Sequence, residues 1–358
     1  MTKTKPVIAL HFDLLQDVAV LRPLARMAAR LDVELLFLVS SGFVKLDIDR
    51  KWRRQIDTLA GQSKATILAY EAVFDVYRAL NGRRGLCIAG SESEVPAHAR
   101  SHALFRALPP GILKVTLQHG FECVGFLHNE RHSATAGRDV RFAADILVGW
   151  FAPHRLLDVS PAERPKLLVA GPPSLIGKSV TPVLKQPASP FLGLVCENTH
   201  SVRFASGAMK RDFLDDVAAL AERSRMAGAR VHLRPHPAGQ FLKRTGYAPP
   251  PAMQVADKPL YKTDLTQYAY ALSAPSTILF DCVMAGVPSA IWGADHVDTR
   301  NYAGLFAVRS AEEAWRFAAA SMPARRAILE RQQRFIDGLG LPPDVSRRYQ
   351  ELMGLAFS

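Results

Sequence analysis

Short apolar runs alternate with helix-length stretches along the chain, and this alternation limits the fold more than any other feature. In the first half the predicted strands are Pro6–Phe12, Val33–Ser40, Ala65–Tyr70, Leu86–Ser91, Ile112–Gln118 and Asp145–Trp150. The predicted helices between them are Val18–Leu31, Arg50–Leu59, Glu71–Leu80 and Ala97–Leu108. Because a crossover between parallel strands needs about a dozen residues, usually as a helix, the pattern predicts parallel βαβ units.

The alternation stops at residues 171–190, which contain five prolines and two glycines, and then starts again. Prolines at this density disfavour helix interiors and central strands. The second half has predicted strands at Phe191–Cys196, Arg230–Arg234, Met253–Val255, Ala271–Ser273 and Ser289–Trp292. Helices are predicted from Gly207, from Ser276 and, twice, in the last 50 residues.

These patterns predict an α/β protein with two Rossmann-like domains that face a cleft. We expect a first domain over residues 1–170, a proline-rich linker over 171–190 and a second domain over 191–325. Residues 326–358 are predicted to form helices that pack back on the domains. Ligand crevices of such sheets form at the carboxyl ends of the strands.

Composition narrows the class of protein. The 358 residues are 48% hydrophobic, which excludes wholesale disorder. The four cysteines are far apart and form no CxxC pair, so neither a disulfide framework nor a zinc site is expected. No apolar run reaches about 18 residues, and Pro6–Phe12 is too short for a signal peptide, so we expect a cytoplasmic protein.

The chain carries a net charge of +12, with 45 Lys and Arg against 33 Asp and Glu. Such a surplus suits nucleic acid, anionic lipid or a phosphate-rich substrate, and composition does not choose among them. The sequence has no helix-turn-helix, zinc-finger or RNP-like motif, so we expect no nucleic-acid partner.

Two segments of the second half can bind phosphate. In Leu233–Pro237, two prolines bracket His236 at a strand end, and Arg234 offers a planar fork that suits phosphate. In the second segment, Ser276 or Thr277 can cap a helix whose free amides then face the cleft, with Asp281 one turn inside. Taken singly, the first segment is better explained as a rigid turn and the second as an ordinary helix cap.

Two further segments follow predicted strands. His119 and Glu122 come just after the strand that ends at Gln118, and both can act as base, acid or substrate ligand. A simple strand-end turn is the alternative there. The loop after Cys196 contains Asn198 and suits a phosphate or a sugar.

Three motifs, in order, resemble the C-terminal half of GT-B glycosyltransferases: the Arg234–Pro237 turn, the Ser276–Asp281 helix start about 40 residues later and the Gly286–Pro288 turn. The Gln118–Gly120 segment is similar to bacterial surface-polysaccharide transferases. These include capsule enzymes that add Kdo or sialic acid and the teichoic acid glycerophosphotransferases. The resemblance covers roughly residues 110–295.

The resemblance implies that His236, Ser276 and Thr277 bind the donor phosphate. A carboxylate at the position of Asp281 would hold ribose hydroxyls, although many relatives carry the longer Glu there. His119 would lie on the acceptor side as candidate base or acceptor ligand. The candidate catalytic residues are therefore His119, His236 and Glu122, and the nucleotide site adds Arg234, Ser276, Thr277, Asp281 and Asn198.

The implied reaction moves a sugar from a nucleotide donor, with CMP favoured, onto a cell-surface polysaccharide or lipid-linked glycan. Helix amides and a cationic histidine can stabilise the leaving phosphate without a metal or another cofactor. The only DxD triplet, Asp47–Asp49, is interpreted as helix-start charge. Two alternatives stay open: a CDP-glycerol-type glycerophosphotransferase, and a non-catalytic nucleotide- or polysaccharide-binding protein.

A basic stretch in the first half is a candidate for the acceptor or membrane side. It consists of Arg50, Lys51, Trp52, Arg53 and Arg54. Arginines with an interfacial tryptophan suit an anionic membrane that carries a lipid-linked acceptor. The alternative is a solvated helix face with Trp52 packed inward.

Overall fold

Two all-parallel sheets follow each other along the chain in a computed structural model of the protein. The structure describes residues 5–127, 137, 139–179, 192–197, 207–236, 242, 245–256, 258–293 and 297–358. Asn198 and Pro237 lie outside the described residues, as does the whole second half of the predicted linker, residues 181–190.

The first sheet has seven strands in the order β3-β2-β1-β4-β5-β6-β7. Its strands are β1 (Val7–Phe12), β2 (Glu34–Ser40), β3 (Thr66–Tyr70), β4 (Gly85–Ala89), β5 (Ile112–Leu117), β6 (Ile146–Gly149) and β7 (Leu167–Val169). The helices of this half are α1 (Asp17–Ala28), α2 (Ser41–Leu46), α3 (Lys51–Ser63), α4 (Val73–Leu80) and α5 (Ala99–Ala107). All six residues of β1 are buried, as expected for a central parallel strand that is covered on both faces.

The second sheet has six strands in the order β10-β9-β8-β11-β12-β13. Its strands are β8 (Leu192–Glu197), β9 (Arg230–Pro235), β10 (Met253–Val255), β11 (Tyr270–Ser273), β12 (Ser289–Trp292) and β13 (Phe306–Val308). The helices of this part are α6 (Gly207–Met226) and α7 (Thr277–Met284). The predicted pair of parallel α/β domains is therefore confirmed.

Strand order reverses once in each sheet. The chain goes outward from β1 to β3 and then returns to place β4 on the other side of β1; β8 and β11 have the same relationship in the second sheet. In open parallel sheets ligands bind at such a switch point, outside the carboxyl ends of the strands. The fold thus marks two places for a ligand, one at β1 and β4 and one at β8 and β11.

Three helices end the chain, where two were expected: α8 (Ala311–Ala318), α9 (Met322–Asp337) and α10 (Val345–Gly354). Ile328, early in α9, packs into the core of the second domain, whereas Phe335 packs into the core of the first. In α10 the Tyr349 hydroxyl donates to the carbonyl of Gly171 at 2.9 Å. Among the described helices, none has the length and apolarity needed to cross a bilayer.

An aromatic cluster joins the two domains. The ring of Phe121, in the loop after β5, lies 5.9 Å from Phe280 of α7, 4.9 Å from Tyr302 and 6.0 Å from Phe335. All four side chains are buried. Aromatic pairs at these separations add about 0.5–1.5 kcal/mol each beyond simple area burial. This cluster therefore holds the β5 loop against α7.

Candidate functional site

The amino end of α7 lies at the β8/β11 switch point. The chain leaves β11 at Ser273, and Ser276 occupies the N-cap position in an extended conformation. The Ser276 hydroxyl makes no capping bond to its own helix, which the structure describes in full. The first-turn amides of a helix have no partner within that helix and attract anions.

Thr277 is the first residue of α7, and its hydroxyl contacts the first domain. Its Oγ1 accepts a hydrogen bond from the backbone N–H of Phe121 at 2.9 Å. A Cβ added at Gly120 would lie 2.9 Å from the same oxygen, so only glycine permits this approach. The hydroxyl still has its own proton to donate to a ligand. The two predicted motifs, one from each domain, are thus in direct contact.

Gln118 shapes the β5 loop. Its Nε2 donates to the carbonyls of Gly120 and Phe121 at 3.0 and 3.1 Å, and its Oε1 accepts from the N–H of Trp150 at 2.9 Å. The side chain is completely buried. These three bonds hold the Gly120–Phe121 backbone in place, so Gln118 positions the loop.

His119 and Glu122 follow within the same loop. His119 Nδ1 lies 3.3 Å from Cys123 Sγ, and its ring meets that of His98 edge to face at 5.7 Å. Burial raises the pKa of Cys123 to about 12, so the sulfur stays protonated. Glu122 Oε1 accepts from Asn301 Nδ2 at 3.1 Å, a contact with the second domain.

His236 and Arg234 lie at the carboxyl end of β9, next to β8 in the sheet. The backbone N–H of His236 donates to Glu197 Oε2 at 3.4 Å, and Glu197 is buried at the end of β8. Arg234 donates to the carbonyl of Lys258. His236 is separated from Ser276 by one intervening strand end, which corresponds to roughly 10 Å between strands.

Asp281 lies one turn inside α7 and is half-buried. Ser174 Oγ donates to its Oδ1 at 3.5 Å. Burial raises the pKa of Asp281 to about 6, whereas Lys178, the Ser174 bond and Arg234 act to lower it. Asp281 and Arg234 are therefore close enough to interact electrostatically. Ser174 and Lys178 come from the predicted linker and were not among the predicted site residues.

A second polar cluster, which the sequence motifs missed, lies at the β1/β4 switch point. Asp13 directly follows β1 and is buried; its Oδ1 accepts from Arg100 Nη1 at 2.8 Å and from the hydroxyl of Ser40. The Arg100 side chain is 43% exposed. Asp13 could have been suspected because it directly follows a predicted strand, but nothing in the sequence links it to Arg100.

Asp17 belongs to the same cluster. Its Oδ2 accepts from the backbone N–H groups of Asp13 and Leu14 at 2.8 and 2.7 Å, and its buried Oδ1 has no hydrogen-bond partner in the described part of the chain. Burial raises the pKa of Asp17 to about 7, against the effect of the two backbone bonds.

The basic stretch forms the start of α3. The helix begins at Lys51, and Arg50 precedes it in the left-handed region at φ 52°. Asp47 accepts from the N–H groups of Trp52 and Arg53 at 3.1 and 2.6 Å, so it caps this helix. Trp52 is half-buried and packs against the first-domain core, as in the alternative of an inward-packed tryptophan.

Of the remaining cations in this stretch, Arg53 pairs with Asp57 at 3.2 Å, whereas Arg50 and Arg54 are exposed. Within the described ranges, no group of three or more His, Cys, Asp or Glu side chains is placed to hold a metal ion.

Solved structures of similar fold include a UDP-N-acetylglucosamine 2-epimerase, with a TM-score of 0.60 and 12% identity over 99% of this chain and 97% of that one. The glycotransferase of kitacinnamycin gives 0.58 at 11% identity, over 99% and 100% of the two chains. LpCGTa, solved in complex with UDP, gives 0.56 at 13% identity, over 99% and 100%.

No protein-family model matches the sequence, and a comparison with curated proteins gives no match. The matches to solved structures span nearly the whole chain in each case. Together with the two parallel sheets, they show that this chain has the GT-B fold.

Proposed function

We propose that this protein is a glycosyltransferase that moves a sugar from a nucleotide donor onto a cell-surface polysaccharide or lipid-linked glycan. The observation that carries the proposal is the hydrogen bond between Thr277 and Phe121. It joins the amino end of α7, which suits a donor phosphate, to the loop that holds His119 and Glu122. Donor and acceptor groups would thus meet across one contact between the domains.

In this proposal the donor phosphates bind at the β8/β11 switch point. The first-turn amides of α7, Ser276 and Thr277 would bind the leaving phosphate, and His236 and Arg234 would add positive charge from β9. Groups held in place before the reaction stabilise the charge that develops on the leaving group. Asn198 and Asp281 would contact the sugar or the ribose of the donor.

On the acceptor side, His119 is the proposed base or acceptor ligand. Glu122 is held by Asn301 of the second domain, so we assign it a positioning role rather than the catalytic one that the sequence suggested. Arg100, fixed by Asp13, is an additional cation at the carboxyl edge of the first sheet.

The donor base is the finer part of the proposal. The resemblance of the motifs favours CMP, whereas LpCGTa was solved with UDP. In this proposal both nucleotides would place phosphate at the same helix end, so a direct comparison of their binding is decisive.

Thermal unfolding in the presence of CMP, UDP and CDP-glycerol tests the proposal. A ligand at a hundred times its Kd stabilises the native state by about 2.7 kcal/mol. We expect one nucleotide to raise the Tm, and a rise with CDP-glycerol alone would indicate the glycerophosphotransferase alternative. No rise with any of the three would contradict the proposal.

The role of His236 is tested by transfer activity. We expect His236→Ala to abolish transfer while the fold is retained, and activity to persist in EDTA. His154→Ala is the matched control, because His154 is exposed in the first domain. Normal turnover of His236→Ala would contradict its role at the donor phosphate.

We also propose that the first domain contacts an anionic membrane surface. Val44, Leu46 and Ile48 are exposed on α2 and in the loop after it, and Ile48 is 83% exposed. They lie next in sequence to the exposed cations Arg50 and Arg54. Apolar side chains flanked by cations suit an anionic bilayer surface.

A further inference from the structure

A small basic pocket lies where α1 and α3 of the first domain meet the second domain. It has a volume of about 210 Å³. Its lining includes Arg22 and Arg26 of α1, Gln55 and Thr58 of α3, and Tyr261 and Lys262 of the turn that follows β10. In the second sheet β10 and β11 lie on opposite sides of β8. The Tyr261–Lys262 turn comes after β10 and α7 comes after β11, so the pocket and the amino end of α7 are associated with different halves of this sheet.

Arg22 is the buried centre of this pocket, with 6% of its surface exposed. Its Nη2 donates to the Tyr261 hydroxyl at 3.1 Å, and its guanidinium carbon lies 3.9 Å from the centre of the Tyr261 ring. The Tyr261 hydroxyl in turn donates to Gln55 Oε1. Arg22 Nε is buried and has no hydrogen-bond partner among the described residues.

The charges in the pocket are unbalanced. Arg22 and Arg26 are one helical turn apart, Lys262 faces them from the second domain, and the lining contains no Asp or Glu. Burial lowers the pKa of Arg22, and the neighbouring Arg26 lowers it further, against the effect of Tyr261. A buried cation is costly unless an anion or hydrogen bonds compensate it. No acidic side chain lines the pocket, so an anion that balances these cations has to come from a ligand.

The size and the donors of the pocket identify the class of anion. At about 30 Å³ per water molecule, the volume corresponds to roughly seven waters, which is less than the pockets of about 300–1,000 Å³ that hold whole cofactors. The paired N–H groups of a guanidinium can donate to two oxygens of a phosphate, and three cations favour a multiply charged ligand.

We propose that this pocket binds a phosphoryl or diphosphoryl group, and that the bound anion fastens the Tyr261–Lys262 turn to α1 and α3. The site is distinct from the proposed donor site at α7 and does not depend on it. The phosphoryl group can belong to a soluble phosphate ester or to a lipid headgroup, which have the same chemistry in the pocket.

Calorimetric titration of the full chain with inorganic pyrophosphate tests the proposal. Arg26 and Lys262 are exposed, so Arg26→Gln with Lys262→Gln should fold normally. A hydrogen bond to a charged group contributes about 1.5–3 kcal/mol, so we expect binding at this site to weaken about tenfold or more. Arg30→Gln with Arg106→Gln removes two exposed cations that do not line the pocket and should bind as the unmodified protein does.

Pyrophosphate can also bind at the amino end of α7, so Ser276→Ala with Thr277→Ala is titrated in parallel. We expect two binding events in the unmodified protein, and one in each of the two double variants. Unchanged pyrophosphate binding by Arg26→Gln with Lys262→Gln would overturn the proposal. The nucleotide-induced rise in Tm should be lost in the α7 variant and kept in the pocket variant. The proposals for the two sites can therefore be contradicted independently of each other.

Sedimentation with phosphatidic acid vesicles distinguishes the sources of the phosphoryl group. The proposed α2 membrane surface is intact in the pocket variant and in the Arg30→Gln with Arg106→Gln control. If the pocket variant loses pyrophosphate binding and binds vesicles more weakly than this control, the ligand is a lipid headgroup. If it loses pyrophosphate binding but still sediments with vesicles like the unmodified protein, the ligand is a soluble phosphate ester.

Discussion

The hydroxyl of Thr277 accepts a hydrogen bond from the backbone N–H of Phe121 at 2.9 Å, although the two residues are 156 positions apart in the chain. Phe121 is buried and also packs on Phe280 of the same helix. One residue of the first domain is thus tied to α7 by both a polar and an apolar contact. The amino end of α7 and the loop after β5 therefore form a single structural unit.

Thr277→Val is expected to destabilise the protein by about 1–3 kcal/mol, because it keeps the shape of the side chain but leaves the Phe121 N–H without its acceptor. Thr277→Ser keeps the hydroxyl and is the matched control. The free energy of unfolding, measured in urea, compares the two. Equal stability of Thr277→Val and the unmodified protein would show that the contact contributes nothing.

Gly120→Ala is expected to destabilise the protein by about 1–3 kcal/mol, since the added Cβ would lie 2.9 Å from Thr277 Oγ1 and push the hydroxyl away. The control is Gly61→Ala in α3, where nothing lies within 4 Å of an added Cβ. Replacing a helical glycine in open space should stabilise by about 0.5–1 kcal/mol. Opposite signs in urea unfolding would support this account, and a neutral Gly120→Ala would contradict it.

The strands were predictable where burial leaves a long apolar run. Val7–Phe12 and Leu192–Glu197 lie in the middle of their sheets; the first begins one residue after its predicted start, and the second is shifted by one residue at both ends. The edge strands Leu167–Val169 and Phe306–Val308 have three residues each and were missed, whereas the equally short edge strand Met253–Val255 was predicted.

The candidate site was only partly predictable, because its motifs are local and its contacts are not. The segments around Gly120 and Thr277 were each identified from the sequence, but nothing there shows that they touch. Asp13 and Arg100 are 87 positions apart, and Arg22 and Tyr261 are 239 apart. Each pair forms only when strand order and domain packing bring the side chains together.

Two buried groups in the first domain should oppose each other in the pH dependence of stability. Burial lowers the pKa of His11 from 6.5 to about 4, so its folded state resists protonation and stability is lost as pH falls from about 6.5 to 4. Burial raises the pKa of Asp17 from 3.8 to about 7, so stability is lost as pH rises from about 4 to 7. Each effect is on the order of 3–4 kcal/mol.

We therefore expect Asp17→Asn to leave the effect of His11, with stability rising from about pH 4 to pH 6.5 relative to the unmodified protein. His11→Gln should leave the effect of Asp17, with stability falling over the same range. Urea unfolding of the three proteins at several pH values measures both slopes. Parallel pH profiles for all three would contradict the assigned shifts.

Ile48→Asp is expected to weaken binding to vesicles that contain phosphatidylserine. Ile48 is 83% exposed and lies two residues before Arg50, so its substitution removes apolar contact and adds charge repulsion at the proposed membrane surface. Burial of an isoleucine side chain contributes about 1.5–3 kcal/mol, which corresponds to a loss of about tenfold or more in affinity. Leu157→Asp is the matched control, because Leu157 is 70% exposed outside this patch. Sedimentation with anionic and neutral vesicles measures the difference, and equal loss in the two variants would mean that the α2 surface has no special part in membrane contact.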